Sequence, residues 1–307
     1  MKNLITFLIL AFLVTPAFAG EEKARSFYSQ EKSHLVDVFE SQGFDKNELI
    51  TIFYDSRLKK RPVATKKNLH TKETGRDYKD FSSPYSIWMA KKFQKKWRTT
   101  LDKASKKFDV DKEAIVAIIL VETGFGNVMG KYPVISVFSS IIVEHKNRQE
   151  QYKIIDSLSE EEQYHLSRLA KKAAWAEVEL NALLTMAKQG NISPYKFKGS
   201  YAGAFGLPQF LPSSYLKWGY DSDKNGSVNL FLVPDALYST ANYLKKHGWE
   251  KGIHKRANHE AVYAYNHSRP YVSAVLKVAK ILKRHNTHRK NSLERNSLAS
   301  LKSEKNH

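Results

Sequence analysis

Along HLVDVFESQGFDKNELITIFYDSRL, apolar positions recur every three or four residues on both sides of Gly43. That spacing predicts a helical hairpin between Glu21 and about Leu58. The next stretch, KKRPVATKKNLHTKETGRDYKDFS (Lys59 to Ser82), is polar, carries both charges and lacks apolar periodicity, so it reads as a linker or exposed loop. Helical spacing resumes from Ile87 to Phe108. Asp109 and Asp111 then flank the start of another helix, where their side-chain oxygens can cap free amide groups. That helix, KEAIVAIILVETGFG, is almost continuously apolar, which predicts a central buried element that stops at Gly124 or Gly126. Further helices are predicted in SEEEQYHLSRLAKKAAWAEVELNALLTMAKQG, PDALYSTANYLKKHGW and YVSAVLKVAKILKRH. From Lys283 the chain turns polar and basic, the composition of a loosely ordered tail. With no internal repeat and no set of alternating strands, the fold class is mainly α. Residues 20–85 are expected to form an N-terminal hairpin and linker, 86–282 the main domain and 283–307 the tail.

The first residues, MKNLITFLILAFLVTPAFAG, combine an early Lys2, an apolar run from Leu4 to Val14, Pro16 and then Ala17-Phe18-Ala19. This is the pattern of a secretory signal peptide over residues 1–19. The apolar run is well short of the ~20 residues that a spanning helix needs. A periplasmic or secreted protein without a transmembrane segment is therefore expected. The absence of cysteine excludes disulfides, thiolate metal sites, cysteine nucleophiles and lipid attachment through an N-terminal cysteine. The formal charge of +19 raises nucleic acid as a partner, but export points instead to an anionic surface outside the cytoplasm, such as the cell wall. General solubilising charge is the plainer alternative.

Glu122 lies seven, four and three positions after Ile115, Ile118 and Ile119, on the face that the apolar spacing turns inward. Burial disfavours the ionised carboxyl, which suits a general acid; half of a structural ion pair is the alternative. The glycines of Thr123-Gly124-Phe125-Gly126 favour the first reading, because they end the helix beside the carboxyl and leave open space. The uncharged segment YAGAFGLPQFLPSSY, residues 201–215, is rich in small residues and proline, as a groove wall for a bulky neutral polymer would be. Ser200 and Gln209 can hydrogen-bond sugar hydroxyl or acetamido groups. Phe205, Phe210 and Tyr215 are either sugar-stacking rings or core. In DSDKNGSVNLFLVPD, Asp221, Asp223, Asn225 and Ser227 match the first half of a calcium loop, with Gly226 at the turn. Position twelve is Leu232, so the loop is either a plain turn or is closed by Asp235. Tyr265 and Asn266 open the last apolar helix and could serve a ligand or merely a helix terminus.

Taken in order, these pieces resemble the membrane-bound lytic transglycosylase B family of peptidoglycan-cleaving enzymes, from about Ile87 to Leu282 and, more faintly, over the N-terminal hairpin. VETGFGNVMGKYPV is similar to that family's catalytic-glutamate motif, and SYAGAFGLPQFLPSSY to its glycan-groove motif. The resemblance implies a lysozyme-like catalytic core with a small N-terminal helical region. It implies Glu122 as sole acid/base, with Ser200, Gln209, Tyr265, Asn266 and Tyr271 lining the site. Arg148 matches the second of a pair of arginines, the first being Asn147 here. No catalytic cofactor is implied, and the family's calcium loop supports a structural Ca2+ at Asp221, Asp223, Asn225, Ser227 and Asp235. The implied partner is a peptidoglycan glycan strand, bound by a monomer without nucleic acid or lipid anchor.

The implied chemistry needs one carboxyl. Glu122 would protonate the oxygen between N-acetylmuramic acid and N-acetylglucosamine while the substrate's acetamido group stabilises the cation. It would then deprotonate the muramoyl C6 hydroxyl, giving a 1,6-anhydro product without consuming water. A hydrolytic muramidase would need a second carboxylate, for which Glu144 or Glu150 are candidates. A wall-binding protein without activity is the other alternative.

Overall fold

The computed structural model describes residues 25–70, 78–153, 155 and 157–304. The expected signal peptide and residues 71–77 of the expected linker lie outside the described residues. As the spacing predicts, α1 (Ser29–Glu40) and α2 (Lys46–Phe53) form a hairpin. It turns at Gly43, whose φ of 92° suits a residue without a Cβ, and Asp45 caps α2 by accepting the Glu48 N–H at 2.9 Å.

The reading of Lys59 to Ser82 as a linker or exposed loop is corrected for its described residues. Strand β1 (Arg25–Ser26) pairs antiparallel with β2 (Lys59–Lys60), α3 spans Pro62–His70, and a 3-10 turn spans Lys79–Ser82. The buried positions of α3 include Ala64, Thr65 and Asn68, which give no hydrophobic signal. They are held by polar contacts instead: Asn68 Nδ2 donates to the Tyr201 carbonyl at 2.6 Å, and Ser140 Oγ accepts the Arg61 N–H at 2.8 Å.

Helices α4 (Pro84–Lys96) and α5 (Arg98–Phe108) are separated at Trp97. Asp109 ends α5 in a left-handed conformation, φ 53°. The expected capping by Asp111 is also corrected: its side chain makes no cap to α6 (Lys112–Thr123). Its carboxylate is instead fully buried and accepts from Trp249 Nε1 at 3.3 Å, Gly252 N at 2.7 Å and Lys283 Nζ at 3.0 Å. A buried charge needs such partners, and these are worth more to it than one helix amide.

The central helix α6 is covered on all sides. Ala114 through Ile119 are fully buried, and Leu120 and Val121 nearly so. Each such Val, Ile or Leu contributes about 1.5–3 kcal/mol by leaving water. Helix α7 (Val134–Tyr152) was not anticipated; it is apolar and buried through Val143, then polar. It lies along α8 (Glu160–Gln189), and α9 (Pro212–Trp218), α10 (Val233–Lys246) and α11 (Ala257–Tyr265) follow. The expected loose tail is corrected too, because α12 runs unbroken from Arg269 to Glu304. From Lys283 onward this helix contains no glycine or proline to stop it. Its early part is fastened to α6, where Asn286 Nδ2 donates to Glu113 Oε1 at 2.7 Å.

Two apolar cores result. One surrounds α6 with α4, α5, α10, α11 and α12; the other joins α1, α2, α7 and α8 to the loop around Phe205 and Leu230. Tyr265 touches both cores and marks the seam between them.

Candidate active site

The site grows from the end of α6. Gly124 terminates the helix in the left-handed region, φ 56°, with its N–H returning to Leu120 O at 2.9 Å. Glu122, in the final turn, is half-buried where the preceding residues are sealed. Glu122 is therefore not set apart by the inward face that its spacing predicts. All faces of α6 are inward, and Glu122 is distinguished by its place at the terminus.

Tyr271 donates its hydroxyl to Glu122 Oε1 at 2.6 Å. The tyrosine is fully buried, and burial, followed by the nearby Glu122 charge, holds its hydroxyl well above the ordinary range. It therefore stays a proton donor to the carboxylate at any neutral pH. Two rings fix it: Tyr78 meets it edge-on at 6.1 Å, and Tyr265 lies parallel at 6.4 Å. Burial and then Glu122 raise the Tyr265 hydroxyl in the same way. Tyr78 was missed in the sequence. Its surroundings are polar and charged, and a single aromatic there gives no periodic signal.

The neutral segment closes onto this helix end. Thr123 Oγ1 donates to Leu207 O at 2.9 Å, and Tyr265 donates to Pro208 O at 2.6 Å. Gln209, at φ 50°, donates its amide to Met129 O at 3.2 Å and Gly206 O at 2.9 Å. Ser200 lies on the same segment, its Oγ accepting the Ala202 N–H at 3.3 Å. Its small residues serve the chain itself: a Cβ on Gly203 would lie 2.2 Å from Phe138 Cζ. Phe205 and Phe210 are buried core, and Tyr215 donates to Val228 O at 2.8 Å, so these rings are fastened inside rather than presented to solvent.

Thus Glu122, Tyr271, Tyr265 and Gln209 belong to one connected arrangement, and Ser200 borders it where Gly130 meets the Gly199–Ser200 backbone. Asn266 ends α11 beside Tyr265, with extended backbone at φ −145°. Arg148 stands apart on α7. It donates to Glu144 at 3.1 Å and Gln151 at 3.2 Å and lines a cavity of about 500 Å³ with residues of α3 and α8. Asn147 donates to Glu31 at 2.9 Å. Of the alternative second carboxylates, Glu144 is paired to Arg148 at 3.1 Å and Glu150 to Lys146 at 3.2 Å, all within α7.

Asp221, Asp223 and Asp235 bring one carboxylate oxygen each to within 4.8 Å of the others. Asp235 sits in the first turn of α10 and closes the loop, accepting Ser222 N at 2.9 Å and Asn229 N at 2.7 Å. Partial desolvation opposes ionisation of Asp221, but the Gly226 N–H, Asp223 and the Asn225 N–H hold its carboxyl below the ordinary range. Asn225 Oδ1 accepts the Ser227 N–H at 2.9 Å. The donors are all oxygen, the chemistry that a hard divalent cation selects. The loop also braces the neutral segment, through Leu207 N to Leu230 O at 2.9 Å.

A carboxylate at the end of an enclosed helix, steadied by a buried tyrosine in a mainly helical and lysozyme-like fold, defines the class. The transglycosylase SLT domain matches residues 26–258, and the chain belongs to that family. The membrane-bound lytic murein transglycosylase B of Escherichia coli strain K12 is 33% identical over 174 residues, which cover 57% of this chain and 42% of that protein. The match thus spans less than half the relative's length. The Escherichia coli lytic transglycosylase SLT35, solved in complex with calcium, is 24% identical with a TM-score of 0.67, covering 84% of this chain and 94% of its own. SltB3 from Pseudomonas aeruginosa, solved in complex with NAG-anhNAM-pentapeptide, is 20% identical with a TM-score of 0.66, covering 83% of this chain and 80% of its own.

Gly130 has φ 85°, and a Cβ there would lie 2.1 Å from the Gly199 carbonyl oxygen. Gly130→Ala is therefore expected to force the two loops apart and cost about 2–4 kcal/mol, from backbone strain plus overpacking. Urea unfolding of the variant beside the parent measures this.

Proposed function

We propose that the protein is a peptidoglycan lytic transglycosylase that cleaves the β-1,4 bond between N-acetylmuramic acid and N-acetylglucosamine, with Glu122 as its single acid/base. The observation that carries this is the bond from the Tyr271 hydroxyl to Glu122 at 2.6 Å, at the half-buried mouth of an otherwise sealed helix. Family membership and the ligand of the SltB3 complex support the substrate class.

In this reading Glu122 first protonates the glycosidic oxygen, and the muramoyl acetamido group stabilises the developing charge at C1. The Glu122 carboxylate then takes the proton of the C6 hydroxyl as that oxygen attacks C1, leaving a 1,6-anhydro end. Tyr271 keeps its proton throughout and holds the carboxylate in one orientation. Tyr265 and Gln209 fix the backbone of the neutral segment against the helix end, and Ser200, Asn266 and Arg148 are assigned to glycan or peptide contacts. The uncharged segment beside Glu122 would limit water at C1, which favours intramolecular attack. No catalytic cofactor takes part.

We assign Asp221, Asp223, Asn225, Ser227 and Asp235 to a structural Ca2+, in keeping with the oxygen-only donor set and the calcium complex of SLT35. The ion would neutralise three converging carboxylates and stiffen the brace behind the neutral segment. We further infer export to the periplasm and action as a monomer on glycan strands. Among the described residues, no helix is long and apolar enough to cross a membrane.

Two experiments test these assignments. Glu122→Gln removes the proton but keeps the shape, so release of soluble fragments from purified peptidoglycan should fall by about a thousandfold or more with the unfolding midpoint unchanged. Activity near the parent level would remove Glu122 from the mechanism. For the metal, calcium at a hundred times its dissociation constant should stabilise the fold by about 2.7 kcal/mol, read as a rise in Tm. The double variant Asp221→Asn, Asp223→Asn should lose that rise; an equal rise in the variant would exclude the loop.

A further inference from the structure

Away from the site, helices α4 and α5 meet in a second concavity, of about 830 Å³, that the reaction does not use. Its walls carry Lys91, Lys92, Lys95 and Arg98, and Trp88 stands on its rim. The acidic residue Asp102 beside it is engaged by Lys112 and lies 3.8 Å from Arg98, so positive charge dominates the wall. The amide nitrogen of Gln94, which also lines the groove, is buried without a hydrogen-bond partner.

The rim is as telling as the wall. Tyr85 and Trp88 are each 53% exposed and stack on one another at 5.9 Å, while Ile87, Ala90 and Phe93 face the core. Lys92 lies over the Trp88 ring at 5.2 Å. Helix α4 thus presents an aromatic pair flanked by long cationic side chains, with its apolar face already spent on the core. Amphipathic rings beside flexible lysines suit the boundary between water and an anionic lipid surface, where rings sit among headgroups and ammonium groups reach phosphate. A neutral glycan would use the rings but leave this charge unanswered.

We propose that this face of α4 and α5 docks the protein on an anionic phospholipid surface, with phosphate held by Lys92, Lys95 and Arg98, and with Tyr85 and Trp88 dipping among the headgroups. The attachment is peripheral and electrostatic and is independent of the assignment of Glu122. It would hold the protein beside the membrane.

The test uses the protein purified after export and vesicles of phosphatidylglycerol or phosphatidylcholine. Binding is expected to the first and not the second, weakening as salt rises. Each cation near an anionic surface is worth several-fold in affinity, so the triple variant Lys92→Gln, Lys95→Gln, Arg98→Gln should bind at least tenfold more weakly. A control triple, Lys153→Gln, Lys171→Gln, Lys217→Gln, removes the same charge elsewhere and should bind as the parent does. The parent's tryptophan emission should shift to the blue on binding, and Trp88→Phe should lose most of that shift. Equal weakening by both triples would reduce the effect to bulk charge and overturn the proposal. So would binding to phosphatidylcholine alone, or loss of binding to sedimented peptidoglycan rather than vesicles in the first triple.

Discussion

A helix that is buried on every side can offer chemistry only at its ends. Helix α6 meets that constraint fully: from Ala114 to Val121 its side chains are sealed, and the chain regains contact with solvent only at Glu122. The rest of the structure follows from keeping that end in place. Gly124 stops the helix, Thr123 ties it to Leu207, and Tyr271 reaches from α12 to the carboxylate. At the opposite end, Asp111 and Glu113 fasten α6 to the same α12 through Lys283 and Asn286. One long helix therefore holds both ends of the other, and the tyrosine is aligned by contacts made more than two turns away.

The second core supplies the other wall. Residues 199–210 pack so tightly that glycine is required at Gly130, against the Gly199 carbonyl, and at Gly203, against the Phe138 ring. The acidic loop braces that segment from behind, and Tyr265 spans the seam between the two cores. The neutral segment, the Glu122 carboxyl and the bracing loop thus come from chain segments that are distant in sequence. The neutral segment is held through its backbone carbonyls by Thr123 and Tyr265, the Glu122 carboxyl by the Tyr271 hydroxyl, and the acidic loop by backbone amides that donate to Asp235.

Much of this was legible in the residues. The apolar run of α6, the hairpin either side of Gly43 and the alternating acidic loop each carry a local physical signature, and the match of two motifs pointed to the family. What was hidden had no such signature. Helix α3 buries alanine, threonine and asparagine and so reads as linker; the continuation of α12 past Lys283 is polar and so reads as tail. Asp111 resembles a cap until Trp249, Gly252 and Lys283 arrive from far along the chain. The inward face assigned to Glu122 could not discriminate on a helix with no outward face. Tyr78 became visible only when folding brought it against Tyr271.

The central claim is that the bond is broken without water, by one carboxyl working twice. Digestion of purified peptidoglycan in heavy-oxygen water, followed by mass spectrometry of the released fragments, tests it most directly. The account predicts anhydro-muramoyl ends that carry no isotope from the solvent. Reducing ends labelled by the solvent oxygen would contradict it, and would mean that water, activated by a second group, completes the reaction.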